Sequence, residues 1–162
     1  MLIKRAGPYA VADVARRMRA RDFIEFTAVY PVATREQLAE KLVENYGRRD
    51  DVICAWRSGV PVAIGGLIET APGVASLLFY ATDDLPKIGL RLTRFIRYTL
   101  FPAWFRGGFD TIQCASLAGY GPVHKWLRVL GLVERGRMCG AGVNGEDFVV
   151  FSKVRDVRPT GA

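Results

Sequence analysis

His124 is the single histidine in a chain of 162 residues, and its ordinary titration range near neutrality suits a general acid or base. A lone histidine on a short helix, with no Cys or Asp close in sequence, forms no triad and is structural or exposed by default. Glu69 ends an apolar run where a carboxylate can act as a base through water, although a charge at a strand end also faces solvent by default. Cys54, Cys114 and Cys139 are odd in number and far apart, so neither a disulfide framework nor zinc-ligand spacing is present. A reducing compartment fits this usage, and no metal is expected.

The elements that must position these groups are read from periodicity. Leu2 to Ala6 reads as a first strand, and Val11, Val14, Ala15 and Met18 recur at helical spacing after the Gly7-Pro8 break. Thr34 with Gln37 is a capping box, Leu38, Leu42 and Tyr46 form an apolar stripe, and Gly47 stands where a left-handed helix end is expected. Three apolar runs, Val52 to Trp56, Val60 to Ile68 and Val74 to Ala81, are separated by Ser58-Gly59 and Pro72-Gly73, which predicts an antiparallel meander. Ile88, Leu92, Phe95 and Ile96 mark a helix that Pro102 ends or kinks, with Lys87, Arg91 and Arg94 on another side. Phe109 to Ala115 reads as a strand and Val123 to Leu130 as a helix. Leu132 to Met138 and Asp147 to Val154 form a closing pair joined through Asn144-Gly145.

The predicted order is β-α-α-β-β-β-α-β-α-β-β, an α/β (α+β) fold with a mixed, mostly antiparallel sheet flanked by helices. One domain over 1-154 accounts for it, and 155-162 reads as a loose tail. Half of the residues are apolar and 24% are charged, the balance of a globular protein. The net charge of +7 rests on 18 Arg against 5 Lys. Because these are spread from Arg5 to Arg158 and no nucleic-acid motif accompanies them, nucleic acid is not the expected partner. The longest uncharged apolar stretch, Val60 to Ile68, is too short to span a bilayer. An intracellular, soluble protein is expected, its oligomeric state open.

The element order resembles that of the GNAT (N-acetyltransferase) superfamily from Leu2 to Val154. The segment Trp126-Leu127-Arg128-Val129-Leu130-Gly131-Leu132 resembles the end of the family's fourth helix, where a Gly and a bulky apolar residue begin the next strand. A narrower resemblance is to the small GNAT-like internal virion or morphogenesis proteins of short-tailed bacteriophages. It is carried by Gly59-Val60-Pro61-Val62-Ala63-Ile64-Gly65-Gly66, by Leu78-Phe79-Tyr80-Ala81-Thr82-Asp83-Asp84, by the basic helix that follows, and by Asn144 to Phe151.

The resemblance implies a site for acetyl-CoA in the loop from Asp83 to Gly89, with the pyrophosphate on backbone N–H groups at a helix start. Lys87, Ile88 and Gly89 fall in that loop. Asp83 and Asp84 put carboxylates where phosphates belong, and Pro86 removes a donor. Asp84 as a helix cap and Pro86 in the first turn are good uses of those residues without any ligand. The family's leaving-group acid, a Tyr, falls on Leu127, which donates no proton, and the Asn before it falls on Tyr120, a candidate substitute. The backbone of Tyr80, Ala81 and Thr82 implies a bulge that polarises the thioester carbonyl, and Gly65-Gly66 permits a bulge or a close backbone approach. Glu69 becomes the candidate base.

Two readings follow. In the first, the chain is a bacteriophage protein with a degenerate acetyl-CoA loop, acting in the virion or in assembly with phage or host proteins, located in the host cytoplasm or the virion. In the second, it is an active N-acetyltransferase, an acyl-CoA N-acyltransferase, moving acetyl to a protein or small-molecule amine through Glu69 and Tyr120.

Overall fold

Ser58 and Gly59 both take positive φ, 50° and 78°, which is the geometry that folds β2 (Val52–Arg57) back onto β3 (Val60–Ala71). Gly73, at φ 77°, makes the next reversal into β4 (Val74–Ala81). In the computed structural model, which describes residues 1–156, this meander is the left half of one seven-stranded sheet. With β1 (Leu2–Arg5), β5 (Thr111–Leu117), β6 (Val133–Met138) and β7 (Phe148–Val154), the order is β1-β2-β3-β4-β5-β7-β6. All neighbours are antiparallel except β4 and β5.

Two apolar layers cover the sheet. On one face, α1 (Pro8–Arg16) and α3 (Arg35–Tyr46) bury Val11, Val14, Leu38 and Leu42 against Cys54, Ile64 and Tyr80. On the other, the helix that starts as α4 (Gly89–Phe95), passes through a π turn at Ile96–Leu100 and ends as α5 (Phe101–Arg106) joins α6 (Gly121–Val129). They bury Leu92, Ile96, Phe101, Leu127 and Leu130 against Ile112 and Phe151. Trp104 and Phe105 pack partly buried on that same core. Pro102 therefore does not end the helix: the wider π turn just before it absorbs the donor that proline lacks, and the helix runs on to Arg106.

Three sequence expectations need correction. The predicted pair of helices before β2 is three, because the apolar run through Met18 breaks. Met18 bridges Thr82, and Arg19 N–H donates to Ala81 O at 2.9 Å, so the chain leaves the helix to touch the sheet and re-enters as α2 (Ala20–Thr27). Gly47 is not left-handed, at φ −65° and ψ −16°. A Cβ there would lie 2.7 Å from Val43 O, so glycine serves the tight last turn of α3, with Pro8 Cα of α1 in ordinary contact at 3.4 Å. Gly65-Gly66 serves the close backbone approach and not the bulge: the ladder carries no register shift there, and a Cβ on Gly66 would overlap Asp51 O. Asp84 makes no side-chain cap. The capping box at Thr34 and Gln37 is present with both of its bonds.

The tail expected from 155 is held at its start. Arg155 donates its N–H to Asp110 O at 2.8 Å and its guanidinium to Phe109 O at 3.0 Å. The remainder of that tail, 157–162, lies outside the described residues. Among the described residues no helix is long and apolar enough to cross a membrane.

Candidate active site

The one parallel pairing is short. β4 and β5 are hydrogen-bonded only over Val74–Ser76 against Thr111–Gln113, and then they part. The N–H of Thr82 goes to Val62 O, so the alternation of the antiparallel ladder turns the amides of Leu78 and Tyr80 toward β3 and those of Phe79 and Ala81 toward the gap. Ala118 N–H likewise goes to Asp147 O, which turns the amides of Ala115 and Leu117 toward the gap from β5. Two strand edges thus face each other unpaired inside the fold, where every polar group needs a partner.

α2 supplies two of those partners. Asp22, 5% exposed, accepts from Ala81 N at 2.9 Å and is gripped by the Arg19 guanidinium at 2.9 and 3.0 Å. Glu25, one helical turn on, accepts from Leu117 N at 3.3 Å. Spacing of i, i+3 puts both carboxylates on one face of the helix, one reaching each strand. Burial raises the Asp22 carboxyl above its usual range against the pull of Arg19. Burial pushes Glu25 up to about 7, with the Asp22 charge adding to the rise and the Leu117 N–H opposing it. Arg19 is spoken for by Asp22, so Glu25 is the less compensated of the two and holds the protonation behaviour of a base poised near neutrality.

Between the strands lies a cleft of about 690 Å3, within the size range of small-molecule sites. Its walls include Leu77 and Phe79 from β4, Cys114 and Ser116 from β5, and Trp126 and Leu127 from α6. The Phe79 and Trp126 rings meet at 4.7 Å, and the Trp126 indole donates to Thr93 Oγ1 at 2.9 Å. Gly89 lines the mouth at the start of α4, and a Cβ there would meet open space. Helical bonding from outside begins with Leu92 N–H to Ile88 O, so the N–H groups of Gly89, Leu90 and Arg91 have no backbone partner among the described residues.

The site residues expected from sequence are only partly gathered here. Glu69 is exposed beside the β3–β4 turn, paired with Ala75, at the opposite end of β4 from the cleft. The amides of Tyr80 and Thr82 belong to the β3 ladder and that of Ala81 to Asp22, so the amide left facing the cleft is that of Phe79. The Tyr80 side chain is fully buried on the other face, donating to Val11 O at 3.1 Å. Lys87 pairs with Asp84 at 2.6 Å, which neutralises one of the two unfavourable carboxylates, and Asp83 lines the cleft. Ile88 is core, 3% exposed. Tyr120 precedes α6, half-buried, with its phenol raised by burial and by the Glu25 charge. His124 contacts Leu117 O at 3.2 Å and packs against Phe151 with the rings tilted at 52°, outside the cleft lining. Asp22, Glu25 and Ser116 were missed; the apolar Phe23 and Phe26 at i, i+3 are the signal that α2 exists.

No family model matches the chain, and no curated protein matches it. Solved structures do. The ribosomal-protein-S18-alanine N-acetyltransferase from Escherichia coli superposes with a TM-score of 0.70 at 16% identity, covering 99% of this chain and 97% of its own. The ribosomal-protein-alanine N-acetyltransferase from Brucella melitensis gives 0.66 at 18%, covering 96% and 100%. Ard1 from Thermoplasma volcanium gives 0.68 at 11%, covering 94% and 96%. None of these is a bacteriophage protein, and the narrower likeness to virion proteins has no support from them. At such identities the agreement concerns the backbone, and with the parted β4–β5 pair it assigns this chain the fold of the GNAT acetyltransferase superfamily.

Proposed function

We propose that the chain is an N-acyltransferase that moves acetyl from acetyl-CoA to an amine, with Glu25 as general base. The observation that carries this reading is the cleft between the parted ends of β4 and β5, where a carboxylate with a raised pKa stands across from an unpaired strand amide. The thioester supplies an electrophilic carbonyl carbon. The N–H of Phe79 hydrogen-bonds the carbonyl oxygen as negative charge gathers on it. Glu25, deprotonated in a good fraction of molecules at neutral pH, takes the proton of the attacking amine. The unpartnered N–H groups of Gly89, Leu90 and Arg91 receive the phosphates, and the Lys87–Asp84 pair keeps one carboxylate from opposing them. Glu69 has no part in the chemistry, and Tyr120 borders it.

Three of the structural neighbours are named as ribosomal-protein-alanine acetyltransferases, so a peptide with a free N-terminal alanine is the first acceptor to try. Titration of the purified protein with acetyl-CoA, followed by an assay of thiol release with that peptide, tests the reading. Saturable binding with acceptor-dependent release supports it. Absence of binding at millimolar acetyl-CoA overturns it and returns the chain to a scaffold role built on the same fold.

A further inference from the structure

Acyl transfer needs a proton for the departing thiolate, and the position where the family resemblance puts a tyrosine for this is Leu127, a hydrocarbon 1% exposed in the cleft wall. The uncharged side-chain donors in the wall are Trp126, Thr93, Cys114 and Ser116. The Trp126 indole N–H is committed to Thr93, and the Thr93 hydroxyl to Gly89 O at 2.7 Å. Cys114 is a weak donor, and burial pushes its thiol up to about 12. Ser116 differs from all three. It is 1% exposed, its Oγ has no hydrogen-bond partner among the described residues, and it lies in the wall of the cleft. A buried hydroxyl without a partner is rare in a folded protein and asks for one from a ligand. It also adjoins the proposed base: the next residue, Leu117, gives its N–H to Glu25 Oε1. The hydroxyl is close enough to that carboxylate for hydrogen bonding to draw the Glu25 pKa down, although the contact falls short of a well-shaped bond.

We infer that Ser116 is a catalytic residue, the proton donor to the leaving thiolate, coupled to Glu25 as a two-residue relay. The inference rests on the acyltransferase reading above. The amine lone pair attacks the thioester carbon and forms the C–N bond, and Glu25 takes the N–H proton. When the C–S bond breaks, its electron pair leaves on sulfur. The Ser116 O–H proton passes to that sulfur, and the proton held by Glu25 restores the hydroxyl. One N–H and one C–S bond are lost, one C–N and one S–H bond are made, and both residues end as they began. The relay explains how a site with leucine at position 127 completes the reaction.

The test is steady-state kinetics of the full chain with two donors, acetyl-CoA and an acetyl ester of 4-nitrothiophenol, whose thiolate leaves without a proton; the acceptor is the alanine peptide. With acetyl-CoA, Ser116→Ala lowers kcat about 100-fold while the dissociation constant from titration stays within about twofold; with the aryl thioester the loss is under about threefold, and Ser116→Thr keeps activity within about tenfold. Unchanged kcat in Ser116→Ala, or an equal loss on both donors with a native unfolding midpoint, overturns the relay while leaving the acyltransferase reading intact. Failure of the unsubstituted protein to bind acetyl-CoA overturns that reading and the relay together.

Discussion

Glu25 illustrates how one side chain gains a chemical character that its type alone does not confer. Burial, with the Asp22 charge beside it, pushes its carboxyl up to about 7 in the fold from an ordinary value of 4.5, against the opposing pull of the Leu117 N–H. As a base it works only when ionised, so kcat should rise with pH through about 7 and level off above, as a pH–rate profile would record. Glu25→Gln should lower kcat by about 100-fold or more and flatten that rise. Stability should run the other way. Between the unfolded and folded pKa values the native state holds the proton more tightly, so folding weakens as pH climbs through this window. At pH 8 Glu25→Gln should exceed the unsubstituted protein in stability by roughly 1–3 kcal/mol, and at pH 4 the two should agree, both read from urea midpoints.

At the scale of elements, α2 is the piece on which the site depends. Its eight residues close the gap between two strands by giving one carboxylate to each. Asp22→Ala would strand both the Ala81 amide and the Arg19 guanidinium. It should cost roughly 2–3 kcal/mol in urea unfolding, more than its single side chain on a surface helix would suggest. α3 is held more locally. Thr34→Ala removes the acceptor for Gln37 N and should cost about 1 kcal/mol, without altering acetyl-CoA binding, because α3 lies on the far face of the sheet from the cleft.

For the molecule as a whole, the sheet is continuous at one end of β4 and open at the other, and the cleft is the consequence. A ligand that fills the gap bridges both halves of the sheet, so binding should raise the global unfolding temperature and not merely order a loop. If acetyl-CoA binds near 100 µM, a 1 mM addition stabilises by about 1.4 kcal/mol, which for a chain of this size raises Tm by about 3–6 °C. A thermal shift series with acetyl-CoA, with coenzyme A and with ATP as a phosphate control measures it. A rise shared equally by all three would mark recognition of the adenine nucleotide they have in common, and not of the acetyl thioester.

All seven strands and four of the helices were legible in the sequence, because local chemistry specifies them. The Ser58-Gly59 and Pro72-Gly73 reversals bound the meander, and the Thr34–Gln37 box begins α3 where the pattern says it should. The resemblance at Trp126 to Leu132 pointed to the superfamily fold that the backbone comparison supports. What the sequence could not disclose depended on contacts between segments far apart in the chain. Arg19 leaves the helix to bond Ala81, sixty-odd residues away, and that one departure creates α2 and delivers Asp22 and Glu25 to the cleft. Glu69 seemed well placed only while the direction of β4 relative to the gap was unknown. Strand parity decides which amide faces a ligand, and parity is a property of the paired ladder and not of any residue in it. Local propensity thus determined the elements, while the parting of β4 from β5, a tertiary event, decided which side chains can do chemistry.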